Sequence, residues 1–161
     1  MADSITVIPP SATFDPLNDP ALYQGVTLKR VLAYAVDIVV VSMVAAAVWA
    51  GAGLLGLLSL GLLLPLQPFA VALVPLVYHI GLIAAPGAAT LGMHLLGIRV
   101  ASIADGGRPS PLQATIQIVA FYGSVALTAS FVLIVALFNP RRRTLHDMLA
   151  GTVVVNRENR L

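Results

Sequence analysis

Residues 37–99 read DIVVVSMVAAAVWAGAGLLGLLSLGLLLPLQPFAVALVPLVYHIGLIAAPGAATLGMHLLGIR, and between Asp37 and Arg99 no residue carries a formal charge. A water-soluble domain does not hide so long an uncharged run in one core, because its helices keep a charged face. A membrane span, by contrast, needs about 20 mostly apolar residues to cross about 30 Å of hydrocarbon. The stretch therefore reads as bilayer-embedded chain. The whole composition agrees: of 161 residues, 58% are hydrophobic and only 10% are charged, against about 25% charged in soluble domains. The net charge of +2 is too small to point to a nucleic-acid partner. The absence of cysteine removes disulfides, Cys-ligated metal, thiol catalysis and S-palmitoylation together.

Working outward, a first span is expected over residues 28–51, with Lys29 and Arg30 at its polar edge and Trp49 near the opposite interface, where an indole ring prefers to sit. The stretch 52–64 either extends the next helix through a proline kink or turns at the outer surface. A return span follows over residues 67–85, carrying Tyr78 and His79. Before the first span, residues 1–27 hold Pro9, Pro10, Pro16 and Pro20 and read as an irregular polar tail, with no signal-peptide pattern. Phe14, Leu17, Leu22 and Tyr23 offer this tail a way to lie on the membrane surface.

From Pro86 to Pro111 glycines and charges return, and Ile98 to Ile103 alternates like a short strand before the turn Ala104-Asp105-Gly106-Gly107. A third apolar run covers residues 112–138, and residues 149–155 are again strand-like. The positive-inside bias puts the basic edge of the first span, and the amino terminus, in the cytoplasm. It also sets a conflict. If the third run crosses once, Arg141, Arg142 and Arg143 end outside; if it turns back at Gly123-Ser124, each arm is only about 20 Å long. A bent or re-entrant third segment is the expectation, because irregular backbone is tolerated at membrane depth where protein covers it. The fold class is thus an all-α integral membrane protein, a small helical bundle of two clear transmembrane helices plus that third segment, with strand-like pieces at the cytoplasmic face. The membrane domain is expected over residues 28–155 and a short tail over 156–161.

Three motifs carry a resemblance. Arg30-Val31-Leu32-Ala33-Tyr34-Ala35-Val36-Asp37 opens the first span, Thr90-Leu91-Gly92-Met93-His94-Leu95-Leu96-Gly97-Ile98-Arg99-Val100 forms the loop, and Arg142-Arg143-Thr144-Leu145-His146-Asp147-Met148-Leu149-Ala150-Gly151 leads into the last strand-like piece. In this order they resemble the RDD family of small bacterial integral membrane proteins, over about residues 28–155. The resemblance implies a multi-pass protein of the bacterial inner membrane, of largely unknown function but linked to transport. It maps the family's arginine and two aspartates onto Arg30, Asp37 and Asp147. Met93 and His94 stand where family members usually carry a basic pair, which argues against a cationic loop that binds phosphate.

The residues themselves sharpen this. Asp37 lies about 10 Å inside the Arg30 edge, where a carboxylate costs about 2.5 to 3.5 kcal/mol unless it is paired, hydrated or protonated. His79, seven residues before Pro86 on an antiparallel helix, stands at about the same depth and is expected within contact distance of Asp37, directly or through one water. The bland alternative has Asp37 hydrogen-bonded to Tyr34, Ser42 or backbone, locking two helices together. Asp147 is expected to return beside Arg30; alternatively it only neutralises the arginines or caps a terminal turn. His94 and His146 lack a third ligand at metal spacing, so no metal and no cofactor is expected. No nucleophile-base pair or phosphate loop is visible, so an enzyme is disfavoured. Two classes remain: a contributor to an ion or small-solute path, expected as a homo-oligomer or part of a larger membrane complex, and an accessory or assembly subunit. The lipid bilayer is the partner common to both.

Overall fold

The computed structural model describes residues 17, 19–128 and 143–157. Its long element, α1, runs from Val26 to Leu58, about 50 Å at 1.5 Å per residue and so longer than the hydrocarbon is thick. Ala, Val and Leu without proline let it propagate, and in lipid every backbone group must be bonded within the segment. Expected near Gly51, the end of this helix comes two turns later, because nothing in Ala52–Leu58 stops it. The chain reverses where Leu60 and Gly61 take left-handed φ of 54° and 90°. There the Ser59 hydroxyl donates to Gly56 O at 2.8 Å and accepts from Leu63 N at 3.0 Å. A 3-10 turn over Leu64–Leu66 leads into α2, Gln67–Ala84. The stretch 52–64 therefore completes α1 and the turn; it does not lengthen α2.

The two helices are antiparallel. Gln67 Nε2 donates to Trp49 O at 2.9 Å at one end, and Tyr78 meets Asp37 toward the other. Their outward faces carry Leu54, Leu57, Phe69, Leu73 and Val77, each more than half exposed. A helix pair with apolar side chains outward is suited to lipid, not water. Both helices are long and apolar enough to cross a membrane.

At the other end of the pair the chain packs tightly. A turn through Ala88 (φ 46°) leads to α3, Leu91–Leu95, whose cap Thr90 accepts from Met93 N. Strand β1, Ile98–Ser102, pairs antiparallel with β2, Thr152–Asn156, in the register Val100 opposite Val154. The expected strand at 149–155 is shifted, because Leu149 and Ala150 belong to α5, Leu145–Ala150, which ends at the left-handed Gly151. Helix α4 covers Pro111–Thr128; at its start Ser110 and Gln113 exchange reciprocal backbone and side-chain bonds of 2.9 and 3.2 Å, a capping box. It continues unbroken through Gly123-Ser124, so the chain does not turn back at that pair. The rest of the expected third segment, with Arg141 and Arg142, lies outside the described residues.

One face of the ribbon, with Ile98, Val100 and Val154, packs on Val26 and Ala33 of α1, Ile83 of α2 and Ile118 of α4. The other face, with Ala101, Val153 and Val155, is covered by Leu17. The described end of the tail is therefore docked: Tyr23 donates to Leu17 O at 2.8 Å, and Asn156 Nδ2 donates to Gln24 O at 2.9 Å. Leu17 and Tyr23 lie on the protein's own sheet, a surface the sequence did not offer in advance.

Candidate functional site

Asp37 is 3% exposed and gathers three donors from three parts of the chain. Tyr78 of α2 donates to Oδ1 at 2.7 Å, Thr90 donates to Oδ2 at 2.6 Å, and Gly92 N–H of α3 donates to Oδ1 at 2.9 Å. The proton directions are fixed by the neighbours. Tyr78 Oη accepts from Leu91 N at 3.3 Å and Thr90 Oγ1 accepts from Met93 N at 3.2 Å, so each hydroxyl spends its own hydrogen on the carboxylate. Gly92 is required for the approach: a Cβ there would collide with Ala33 O and lie 3.0 Å from Asp37 Cγ. Neither Tyr34 nor Ser42 bonds Asp37.

Among the described residues His79 makes no direct hydrogen bond to Asp37. It lies at matching depth, 7% exposed, but its Nδ1 donates to Pro75 O at 2.8 Å, with the Tyr122 hydroxyl of α4 3.2 Å away. Tyr78, one residue earlier, takes the place expected for His79, because the turn of α2 that faces α1 carries the phenol and the next residue turns toward α4.

Arg30 and Asp147 do meet. Arg30, on the first turns of α1, makes a charge-assisted bond to Asp147 Oδ2 in α5. Asp147 is fully buried, and it also accepts from Gln117 Nε2 at 2.9 Å and from Thr144 N at 3.1 Å. The last bond is the carboxylate half of a capping box, so one side chain closes a helix start and an ion pair together. Burial alone raises the Asp147 carboxyl; the Arg30 guanidinium, His146 and the donated bonds outweigh it and hold it below the usual carboxylate range. His146 is shifted down because burial outweighs the upward pull of Asp147, with Arg30 adding a smaller downward push. Its Nε2 lies 2.7 Å from Thr144 Oγ1. Arg143 holds the far side, donating to Thr152 O at 3.0 Å and Asp147 O at 3.2 Å.

Arg30, Asp37, His79, Gln117 and His146 all line one cavity of about 210 Å³, with apolar walls from Val31, Ile83, Met93 and Ile118. Tyr34 and Phe121 stand edge to face across it, ring centroids 5.5 Å apart. Two buried atoms of lining residues, Gln117 Oε1 and His146 Nδ1, have no hydrogen-bond partner. Among the described residues no group of three or more His, Cys, Asp or Glu side chains is placed to hold a metal; His94 bonds Thr90 O at 2.9 Å. Asp37's actual partners were missed from sequence, although Tyr78 beside His79, and the small pair Thr90 and Gly92 around Leu91, were polar or flexible marks in apolar surroundings. Gln117, a polar residue inside the third apolar run, was the equivalent mark for Asp147.

No curated protein and no solved structure matches the chain. The RDD family model matches residues 25–151, a range that holds Arg30, Asp37 and Asp147 and the residues that line the cavity, and the protein is a membrane protein that belongs to the RDD family.

Proposed function

We propose that this protein binds an ion or small solute in the bundle cavity and takes part in its passage across the membrane, as one subunit of an oligomer and without catalysing a reaction. The observation that carries the reading is the convergence on one cavity of Arg30, Asp37 and His79, ionisable groups drawn from two apolar helices. Such residues are costly at membrane depth and by default mark a path or a binding site. Two spans and a third segment are too few to enclose a pore alone, hence the oligomer.

Orientation follows from charge. Lys29, Arg30, Arg99 and Arg143 lie at the sheet-bearing end of the bundle, which the positive-inside bias assigns to the cytoplasm. Gln117 of α4 reaches Asp147 of α5, so the chain leaves this end at Pro111 and is back by Thr144. That return supports a re-entrant third segment with both termini cytoplasmic, in an inner or plasma membrane.

The test is flux in proteoliposomes under an ion or pH gradient, wild type against Asp37→Asn. Loss of flux from a folded variant supports the path. A second reading, an accessory subunit, is favoured by the saturation of Asp37 with three donors, which suits a fastener of α1, α2 and α3. In that case the variant loses thermal stability or partner yield, and flux does not separate it from wild type.

A further inference from the structure

Among the described residues the charges around the cavity do not cancel. Arg30 is matched by Asp147. Asp37 receives three hydrogens from groups whose own acceptor roles are already filled, the arrangement of a carboxylate with a full negative charge. Among the described residues no cation pairs with it. The cavity wall thus holds one uncompensated anion beside an apolar lining.

Apart from His146 Nδ1, the unmet hydrogen-bonding capacity described in its wall belongs to acceptors. Gln117 gives its Nε2 hydrogen to Asp147, which fixes the amide and leaves the buried Oε1 an acceptor without a donor. His79 Nδ1 faces the Pro75 carbonyl and so carries the proton, which in the neutral ring leaves Nε2 as a lone-pair acceptor on a second cavity-lining residue. Tyr34 and Phe121 add aromatic surface, and ring faces attract cations. An apolar cavity of about 150 Å³ takes a benzene molecule, so about 210 Å³ has room for one ring with a short arm.

We propose that the cavity is a binding site for a small amphipathic ammonium ion, an aromatic or short aliphatic body carrying a protonated amine, with Gln117 Oε1 accepting from the ammonium and Asp37 supplying the balancing charge. This names the solute class for the cavity and rests on the reading that the cavity binds a solute.

The experiment is calorimetric titration of the purified protein in lipid nanodiscs at neutral pH with 2-phenylethylammonium, and with uncharged 2-phenylethanol and anionic 3-phenylpropanoate as comparators of the same body. Saturable binding of the ammonium, about tenfold or more tighter than the alcohol, is expected for a charge-assisted bond. The anion should bind no more tightly than the alcohol. Gln117→Ala should weaken the ammonium about tenfold and the alcohol, whose hydroxyl gives only a neutral bond to Oε1, by clearly less. Ile118→Trp, which adds bulk to the cavity wall, should abolish binding of both. Equal or tighter binding of the anion overturns the proposal, as does a folded wild type with no saturable ammonium binding, or a folded Ile118→Trp that binds as wild type does. Ammonium binding without flux of any cation removes the transport reading and leaves this site standing; inorganic-ion flux without ammonium binding does the reverse.

Discussion

Replacing Asp147 by Asn tests the join between the two ends of the chain. The carboxylate is fully buried and accepts from Arg30, Gln117 and Thr144 N. Asn keeps one acceptor oxygen and turns the other into a donor, so at least one of these partners faces an amide hydrogen where it had an acceptor. Removing one member of a buried ion pair costs about 3–5 kcal/mol, most of it from the stranded charge. Arg30's side chain is 16% exposed, and the water this admits relieves part of the cost, so a loss of about 2–4 kcal/mol is expected. That is a large part of a marginal fold's stability. The assay is equilibrium unfolding in mixed micelles, or the thermal midpoint in detergent, for wild type, Asp147→Asn, Arg30→Gln and the double variant. A cycle coupling of about 1–3 kcal/mol is expected for groups in one network. A loss below about 0.5 kcal/mol for Asp147→Asn, the range of ordinary surface changes, would refute the claim that this pair ties α1 to α5.

Three further outcomes are expected. Gly92→Ala pushes a methyl against Ala33 O and should lower stability by about 1–3 kcal/mol through overpacking, read as a fall in thermal midpoint; an unchanged midpoint would mean that α3 is free to lift away. Tyr78→Phe removes one of Asp37's donors and should cost about 1.5–3 kcal/mol, whereas Tyr122→Phe, whose hydroxyl meets His79 and not Asp37, should cost less, and the reverse order would overturn the assignment of Asp37's partners. Acid should destabilise the fold in two stages. Because His146 is held below its ordinary 6.5, the unfolded chain takes up a proton first, so its contribution is complete above 6.5 and is lost as the pH falls from there through the folded value. Asp147, held below its ordinary 3.8, contributes fully above that and loses its share as the pH falls further. A His146→Gln variant with an unchanged stability profile between pH 7 and 5 would contradict the first stage.

Much of the scaffold was legible because the bilayer imposes simple rules. The uncharged run, Trp49, and the Lys29-Arg30 edge marked α1, and Pro65 and Pro68 marked the turn into α2, since lengths and polar ends are what a membrane constrains. The end of α1 was misplaced for the same reason: in an all-apolar stretch no residue change announces the interface, and Gly51, Gly53 and Gly56 are as acceptable inside a membrane helix as beyond it. The meeting of Arg30 with Asp147 was legible from their shared membrane face. Asp37's partner was not, since matched depth fixes height along a helix but not rotation about it, and one residue of rotation exchanges His79 for Tyr78. The knot through Thr90 and Gly92 depends on α3 lying across α1, a tertiary contact with no local periodicity. The docking of Leu17 on the sheet was hidden similarly, because one apolar residue among prolines has no pattern to read.

The central claim, that the cavity lined by Arg30, Asp37 and His79 is a place where solute is bound and moved, is tested most directly by gradient-driven flux in proteoliposomes for wild type and Asp37→Asn, each first shown to be inserted and folded by its thermal midpoint. Wild-type flux above empty liposomes that vanishes in a folded Asp37→Asn protein is the predicted result; a folded Asp37→Asn protein with wild-type flux, or a wild type indistinguishable from empty liposomes with protons, sodium, potassium and small ammonium ions, would contradict it.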